Sequence, residues 1–512
     1  MGDSRRYVFA PLEQRGVIAG LRAGQVGLLG GGLVIGTALL RGAPNLAGVG
    51  AAVVVLLAAV AGAFVPVGGR PVEQWAPVAA RHTSRWVTGT TLTRAAPRAT
   101  RRRAPSGPGN SSRRRHRSPY GTTRDEHGSP EPVLPTPPAF GGLVFDEVGQ
   151  PGARAVGVVR DAVTGATTAV LAVRGRSFAL LDAEDKERRL SSWSAVLAGL
   201  SREGGPVRSI QWVERTVPGD SEALVRHLDE SRAISVGSAP VRSYAELVAE
   251  AGPLGQEHEC FVALSVRSRR RRAPGAADSS LLRELRLLEG QLRSAEVQVD
   301  RALSERELAG VVRSAFDPWA RTGITRRTAL HPDLAGSAPA AVWPAATDEH
   351  WSWWRTDEAW HATFWVAEWP RSDVGPDFLA PLLLHTGGQR TVAVVMAPLT
   401  PSAGVREAEA ARTAQAADEQ LRQRAGFIAT ARRSREAEGI ARRETELSDG
   451  HVAYRFSGYV TVTAADPDGL EIACGEVVQA AHQCRLQLRR LHGVQDLGFT
   501  WTLPLGRGLS GR

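Results

Sequence analysis

Few residues in this chain stand in patterns that do chemistry, and each pattern misses a requirement. The only lysine, Lys186, sits in Asp185-Lys186-Glu187. A phosphate-cradling loop needs Gly-Lys-Ser/Thr so that the lysine reaches the β- and γ-phosphates, and no such run occurs. There is no Gly-x-Ser-x-Gly turn to expose a nucleophilic serine. His258-Glu259 lacks the second histidine that a zinc-protease helix needs. Gly506-Arg507-Gly508-Leu509-Ser510-Gly511 has dinucleotide-loop spacing, but no helix can follow it before Arg512 to meet a phosphate. Cys474, His482 and Cys484 are metal-ligand types. Leu470, Cys474, Val477, Ala481, Cys484, Leu488 and Leu491 nevertheless form one heptad-like stripe, which predicts a packed face with both cysteines as small hydrophobes. Asp161, Asp182, Asp185 and Glu187 offer carboxylates with no base or nucleophile placed beside them, so solvated turns are expected. The expectation is a non-enzymatic chain with no catalytic residue, metal or cofactor.

The charge is concentrated instead. Arg94–Arg124 holds ten arginines and no acid, which equals the whole net charge of +10. Within it lie Arg101, Arg102 and Arg103, then Arg113, Arg114 and Arg115. Residues 91–140 are rich in Arg, Pro, Ser and Gly without apolar periodicity, which predicts a disordered linker. Such a tract can be a plain solvated linker, or it can hold anionic lipid at about 1 kcal/mol per charge. Phosphates of a nucleic acid are a third reading, weakened by the near absence of stacking aromatics (Tyr120 only). Three cysteines in 512 residues make no disulfide framework, which fits a cytosolic body.

The element that would position all of this is the stretch Ala23–Val67. Spans at about 23–40 and 46–67 carry no charge, and the second is long enough for ~30 Å of hydrocarbon. Arg41-Gly42-Ala43-Pro44-Asn45 makes the turn between them. Gly27-x-x-x-Gly31 and Gly32-x-x-x-Gly36 suit close helix approach in lipid. Arginines flank the hairpin on both sides (Arg5, Arg6, Arg15 and Arg22 before it; Arg70, Arg81 and Arg85 after it), which predicts a multi-pass inner-membrane protein with both termini cytoplasmic. Ser4-Arg5-Arg6-Tyr7-Val8-Phe9 resembles a twin-arginine export signal, but Glu13, Arg15 and Arg22 separate it from the apolar run. Trp75 and Trp86 are expected at the headgroup level.

From Gly141 the patterns are those of an α+β body. Ala155–Arg160 and Thr167–Arg174 alternate about Thr164-Gly165 and predict a hairpin. A strand at Ser177–Leu181, a helix at Leu190–Leu200, a strand at Ser209–Thr216, a helical region at Ser221–Glu250 and a strand at Glu259–Val266 follow. The short run Arg269–Arg272 reads as a solvated loop. A helix capped by Ser279 or Ser280 carries Leu281, Leu285, Leu288, Leu292, Ala295, Val299 and Ala302. The order then repeats: strand Thr363–Glu368, helix Phe378–Leu384, strand Thr391–Ala397, one long helix Ser402–Leu447, strand Val452–Thr463, helix Leu470–Leu491 and strand Phe499–Leu503. This predicts two related α+β lobes with mainly antiparallel sheets and helices on one face. The divisions are 1–90 for the hairpin and its flank, 91–140 for the linker, 141–325 for the first lobe, and 326–512 for a Trp-rich junction and second lobe. The junction holds Trp343, Trp351, Trp353, Trp354, Trp360, Trp365 and Trp369. Trp351, Trp353 and Trp354 are candidates for a partner interface, against the plainer reading of an interlobe packing layer.

With these features assembled, the chain resembles a family of integral membrane proteins encoded in conjugation and type IV secretion-like gene clusters of high-GC Gram-positive bacteria. The residues that carry the resemblance are Arg6-Tyr7-x-Phe9-x-Pro11-Leu12-Glu13-x-Arg15-Gly16, Gly157-Val158-Val159-Arg160-Asp161, Trp193, Gln211-Trp212-Val213-Glu214-Arg215-Thr216, Glu368-Trp369-Pro370-Arg371, Phe378-Leu379-Ala380-Pro381-Leu382-Leu383-Leu384 and Leu503-Pro504-Leu505-Gly506-Arg507-Gly508. The hairpin looks like the PrgI-type small membrane subunit of such machines. The lobes look like the N-terminal, non-ATPase part of the conjugative transport ATPase. The resemblance implies a membrane-anchored, homo-oligomeric scaffold docking a separate ATPase. Alternatives are a membrane-tethered enzyme with an unrecognised site, or a polybasic membrane tether for DNA.

Overall fold

Two apolar helices open the computed structural model, which describes residues 23–42, 45–67, 70–94, 134–149, 154–175, 181–219, 230, 238–251, 255–267, 276–370, 372–384, 387–424 and 431–509. The lead-in 1–22, the turn residues 43–44, the arginine tract beyond Arg94, the strand expected at 177–180, most of 221–237 and the run 269–272 lie outside the described residues.

Helix α1 (Ala23–Gly42) and α2 (Leu46–Phe64) form a hairpin, and both are long and apolar enough to cross a membrane. Asn45 caps α2, its side chain accepting from the Gly48 N–H at 2.8 Å. A Cβ on Gly32 would sit 2.5 Å from that of Ala59, and one on Gly36 3.8 Å from the Ala52 carbonyl. Gly27 and Gly31 have no such neighbour within 4 Å. Only the second glycine pair therefore brings the helices together. A two-rung ribbon, β1 (Pro66–Val67) with β2 (Arg70–Pro71), leads to α3 (Val72–Val87) and β3 (Leu92–Arg94).

The remaining elements in order are β4 (Leu143–Val148), β5 (Val156–Asp161), β6 (Ala166–Arg174), α4 (Ala183–Leu200), β7 (Val207–Pro218), α5 (Ala239–Ala251), β8 (Gln256–Arg267), α6 (Ala276–Ser294), β9 (Gln298–Ala302), α7 (Glu305–Phe316) and α8 (Ala320–Leu330). Then come β10 (Ala346–Glu349), β11 (Trp354–Thr356), β12 (Ala359–Glu368), α9 (Ala380–Leu383), β13 (Gln389–Pro398), α10 (Pro401–Arg424), α11 (Ala431–Ser448), β14 (Tyr454–Ala464), α12 (Pro467–Gln483), β15 (Gln487–Arg490) and α13 (Gln495–Thr502). Among the described residues, thirteen strands join in one antiparallel sheet, β3-β10-β11-β12-β14-β13-β7-β8-β6-β5-β4, with β15 also on β12 and β9 also on β6. The two halves meet inside it at β7 and β13, from Arg215↔Thr391 to Ile210↔Met396.

Alternate residues of each strand face opposite sides, and both sides are covered, so the expectation of helices on one face is corrected. On one side, α4 and α6 bury Val196, Leu200, Leu281, Leu285, Leu288 and Leu292 against Val158, Leu171, Ile210, Val262 and Leu264. There too, α9 and α12 bury Leu382, Leu470, Cys474, Val477 and Ala481 against Phe364, Val392 and Val460. On the other, α7 and α13 bury Leu308, Val312, Phe316 and Phe499 against Val159, Val170, Val213 and Ala393. Ser304 and Glu307 close a capping box at the start of α7.

Several boundaries differ from the periodicity reading. The stripe from Leu470 ends as a helix at Gln483, because Arg485 turns to φ 57°, and Leu488 belongs to β15. Val299 and Ala302 likewise lie in β9 rather than on α6. The long helix is two, α10 and α11, packed antiparallel with an Arg412–Glu444 ion pair between them. Phe499–Leu503, with its alternating aromatics and threonines, is helix α13, in which Thr500 and Thr502 donate back to the Leu497 and Phe499 carbonyls.

The last described residues lie across the first half. Gly506 N–H donates to Gln211 Oε1 at 2.8 Å, and Thr168 Oγ1 donates to the Leu505 carbonyl at 3.3 Å. Arg507 Nε donates to Asp161 Oδ2 at 2.8 Å. Asp161 is therefore no solvated turn. Burial alone would push its carboxyl up, but the Arg507 bond and the Val163 and Thr164 N–H groups hold it below its ordinary value. Gly506 has φ 67°, and a Cβ there would overlap Ser265 Oγ. Gly506→Ala should cost about 2–4 kcal/mol through overlap and left-handed strain, lowering the thermal midpoint of the detergent-solubilised chain. An unchanged midpoint would mean that this strip does not hold the halves together.

Candidate functional site

A buried polar cluster lies where α3, which follows the hairpin, meets the body. Its residues Trp75, Val78, Arg81, His82 and Arg85 recur at three- and four-residue spacing and share one face. The Trp75 ring stacks on Trp351 at 5.6 Å and 25°. Trp351 in turn stacks on His492 at 6.3 Å, while His82 meets its edge at 5.1 Å. Gly493, at φ 72°, lets the chain pass: a Cβ there would stand 2.7 Å from both Trp351 and Val78. Trp75 is thus spent on the body, whereas Trp86 is exposed.

Beneath the rings lies a charged layer. Arg85 Nη1 bonds Asp496 Oδ2 at 2.6 Å and also pairs with Glu349, and Arg81 Nη2 reaches Asp496 at 3.3 Å. The carboxylates are almost sealed, with side chains 1% (Glu349) and 2% (Asp496) exposed. Burial first, then the neighbouring Asp496 charge, pushes the Glu349 carboxyl up to about 8, with Arg85 opposing. Burial, then His350 and the two arginines, lowers His82. The backbone joins as well: β3 pairs with β10 at Arg94↔Ala346, Thr93↔Thr347 and Leu92↔Asp348, making the hairpin's flank an edge strand of the sheet. The arrangement ties α3 to the sheet around a Glu349 carboxyl that burial pushes up.

The three tryptophans named from the sequence are split apart. Trp351 is in this junction. Trp353 stacks on His350 at 4.6 Å and meets Trp360 edge-on at 4.4 Å. Trp354 is 2% exposed among Phe140, Phe316 and Phe499, so it offers another chain no surface. Trp343 packs in the same core, and Trp360 and Trp369 border the α12 side. Arg101, Arg102, Arg103, Arg113, Arg114 and Arg115 lie outside the described residues. Cys474 and Cys484 are buried with thiols pushed up by burial (Cys474 to about 12), while His482 is exposed. Sequence reading missed Glu349, Asp496, His82 and His492. The available signal was the stripe on α3, polar and aromatic where a membrane-flanking helix would turn an apolar face inward.

A second cluster sits at the central seam. His258 Nδ1 and Glu214 Oε1 are 2.6 Å apart, and burial raises the Glu214 carboxyl. Arg390, 1% exposed, donates to the Leu383 carbonyl beside them. A carboxylate–imidazole pair can orient a base. Cys260 opposes Glu214 in the ladder, but burial and the Glu214 and Glu259 charges push its thiol up to about 12, the reverse of what a thiolate nucleophile needs.

The sign of the Glu349 effect can be tested. Its folded value of about 8 lies above the ordinary 4.5, so the folded chain keeps a proton that the unfolded chain has released. Stability should therefore fall as pH rises from about 4.5 to about 8, and Glu349→Gln should flatten that slope in the thermal midpoint. An equal slope in the variant would remove Glu349 from the account. Compared with known proteins, the chain matches no family model and no curated protein.

Proposed function

We propose that the chain is a non-enzymatic, membrane-anchored scaffold subunit of a conjugative or type IV secretion-like translocation system, docking a separate ATPase. The observation that carries this is the joint between hairpin and body. A loosely tethered domain needs no such joint. Here stacked rings, two buried carboxylates with two arginines, and a shared edge strand fix α3 and β3, the elements that follow the apolar hairpin, to the sheet. The arginines flanking the hairpin favour a multi-pass protein with both ends cytoplasmic.

We also read the two halves as related copies. The order β4-β5-β6-β8-β7 from one edge matches β10-β11-β12-β14-β13 from the other, with β9 and β15 in like places. Leu281, Leu285, Leu288 and Leu292 have the spacing of Leu470, Cys474, Val477 and Ala481. After each helix the chain turns at a left-handed non-glycine, Glu296 (φ 59°) and Arg485 (φ 57°). Thr168–Ser265 and His361–Thr463 are corresponding cross-strand hydrogen bonds. The rival reading of a tethered enzyme draws on the Glu214–His258 pair alone.

Both parts of the proposal are open to one preparation. The tagged full chain should stay with membranes through alkaline carbonate washing. It should then co-purify from detergent with a stoichiometric ATPase carrying the Gly-Lys-Ser/Thr loop absent here. Arg81→Ala/Arg85→Ala should leave the chain in the membrane but lower ATPase recovery several-fold. Release by carbonate sinks the anchor, and membrane retention without an ATPase sinks the scaffold reading. Loss of function in Glu214→Gln with assembly intact would favour the enzyme.

A further inference from the structure

The two edges of the sheet are finished differently. At one, β3 covers β10. At the other, β4 pairs only with β5 among the described residues. By the matched strand orders, β4 is the counterpart of β10. Its inward residues Leu143 and Phe145 stand against the α7 layer, where Thr347 and Glu349 stand on β10. Val144 is 58% exposed, and Asp146 and Glu147 are exposed beside it.

The backbone of β4 is presented for pairing. Ala162 N–H bonds the Gly142 carbonyl at 2.9 Å, so the alternation of an antiparallel ladder turns the N–H groups of Leu143, Phe145 and Glu147 outward. Charge selects what can sit there. Asp146 and Glu147, adjacent and exposed, give this edge an acidic rim; Glu305, in the first turn of α7, is raised by burial first and then by their charges, with Arg306 opposing. Arg160 bonds Asp146 at 2.9 Å but is shared with Asp278. Two copies of this edge would set like charges opposite each other, which disfavours self-pairing. At the occupied edge, the covering segment brings arginines to buried carboxylates: Arg81 and Arg85 reach Asp496, and Arg85 reaches Glu349.

We propose that β4 is a docking edge for an extended, arginine-bearing segment of a partner chain, which adds a strand there as β3 does at β10. This rests on the correspondence of the halves and not on what the partner does. Strand addition supplies main-chain hydrogen bonds, and the acidic rim supplies selectivity and on-rate.

The test uses the full chain in detergent micelles and a fluorescein-labelled peptide of alternating Arg and Thr, followed by anisotropy. The peptide should bind in a salt-sensitive way, while an alternating Glu-Thr peptide should not. Asp146→Asn/Glu147→Gln should weaken binding about tenfold. Glu147→Pro, which also removes an outward N–H, should weaken it further than Glu147→Gln. Each variant is compared only if its thermal midpoint matches the parent's. Binding unchanged by the β4 substitutions, or equal binding of the acidic peptide, overturns the docking edge. Equal effects of Glu147→Pro and Glu147→Gln overturn strand addition. No ATPase is present in this assay, so it succeeds or fails independently of the scaffold reading.

Discussion

Everything in the body hangs on the pairing of β7 with β13. Six residue pairs, Ile210↔Met396 to Arg215↔Thr391, turn two sets of strands into one sheet. Opening it would bare two long strand edges with unpaired backbone groups. It would also cut a core that contains Val213 and Ala393 from opposite sides of the seam. Side chains reinforce the same line. Gln211 accepts from Gly506 and donates to the Trp501 carbonyl at 2.9 Å. The central strand is the segment Gln211–Thr216 that stood out in the sequence for its resemblance.

The neighbouring β7–β8 ladder carries charge on both of its faces. Adjacent residues of a strand face opposite sides, so Glu214-Arg215 on β7 and His258-Glu259 on β8 form one pair on each face. Buried ion pairs add little net stability, but breaking one strands a charge. The Arg215–Glu259 pair is of this kind, its arginine side chain 6% exposed. The junction with α3 works in the same way: Arg81 and Arg85 have one place to go, and it orients the hairpin's flank.

Much of the fold was legible because it is local. Thr164-Gly165 turns the predicted hairpin with Gly165 at φ 62°, and the apolar alternation at 209–216 and 391–397 gives central strands. The stripes from Leu281 and Leu470 gave buried helix faces. What failed was also local information, outvoted. Periodicity continues through Cys484 and Leu488, yet one left-handed residue converts helix to strand. Phe499–Leu503 alternates like a strand, but the sheet has no place left for it there and threonine back-bonding suits a short buried helix. The junction was illegible for a different reason. Arg85 and Asp496 are 411 residues apart, and neither position carries a mark that points to the other. Tryptophan clustering flagged the right neighbourhood, but it could not tell Trp351, at the joint, from Trp354, in the core.

The strip that crosses the first half has a consequence for how the molecule is made. Leu503 and Leu505 complete a core built mostly from residues up to Phe316, and Arg507 neutralises Asp161. Strands β4 to β8 leave the ribosome early, with the hairpin ahead of them, yet their inner face stays unfinished until residue 507 has emerged. Domains made N-terminal first usually fold as they appear. This one must wait, its first half leaving apolar surface uncovered throughout synthesis of the second.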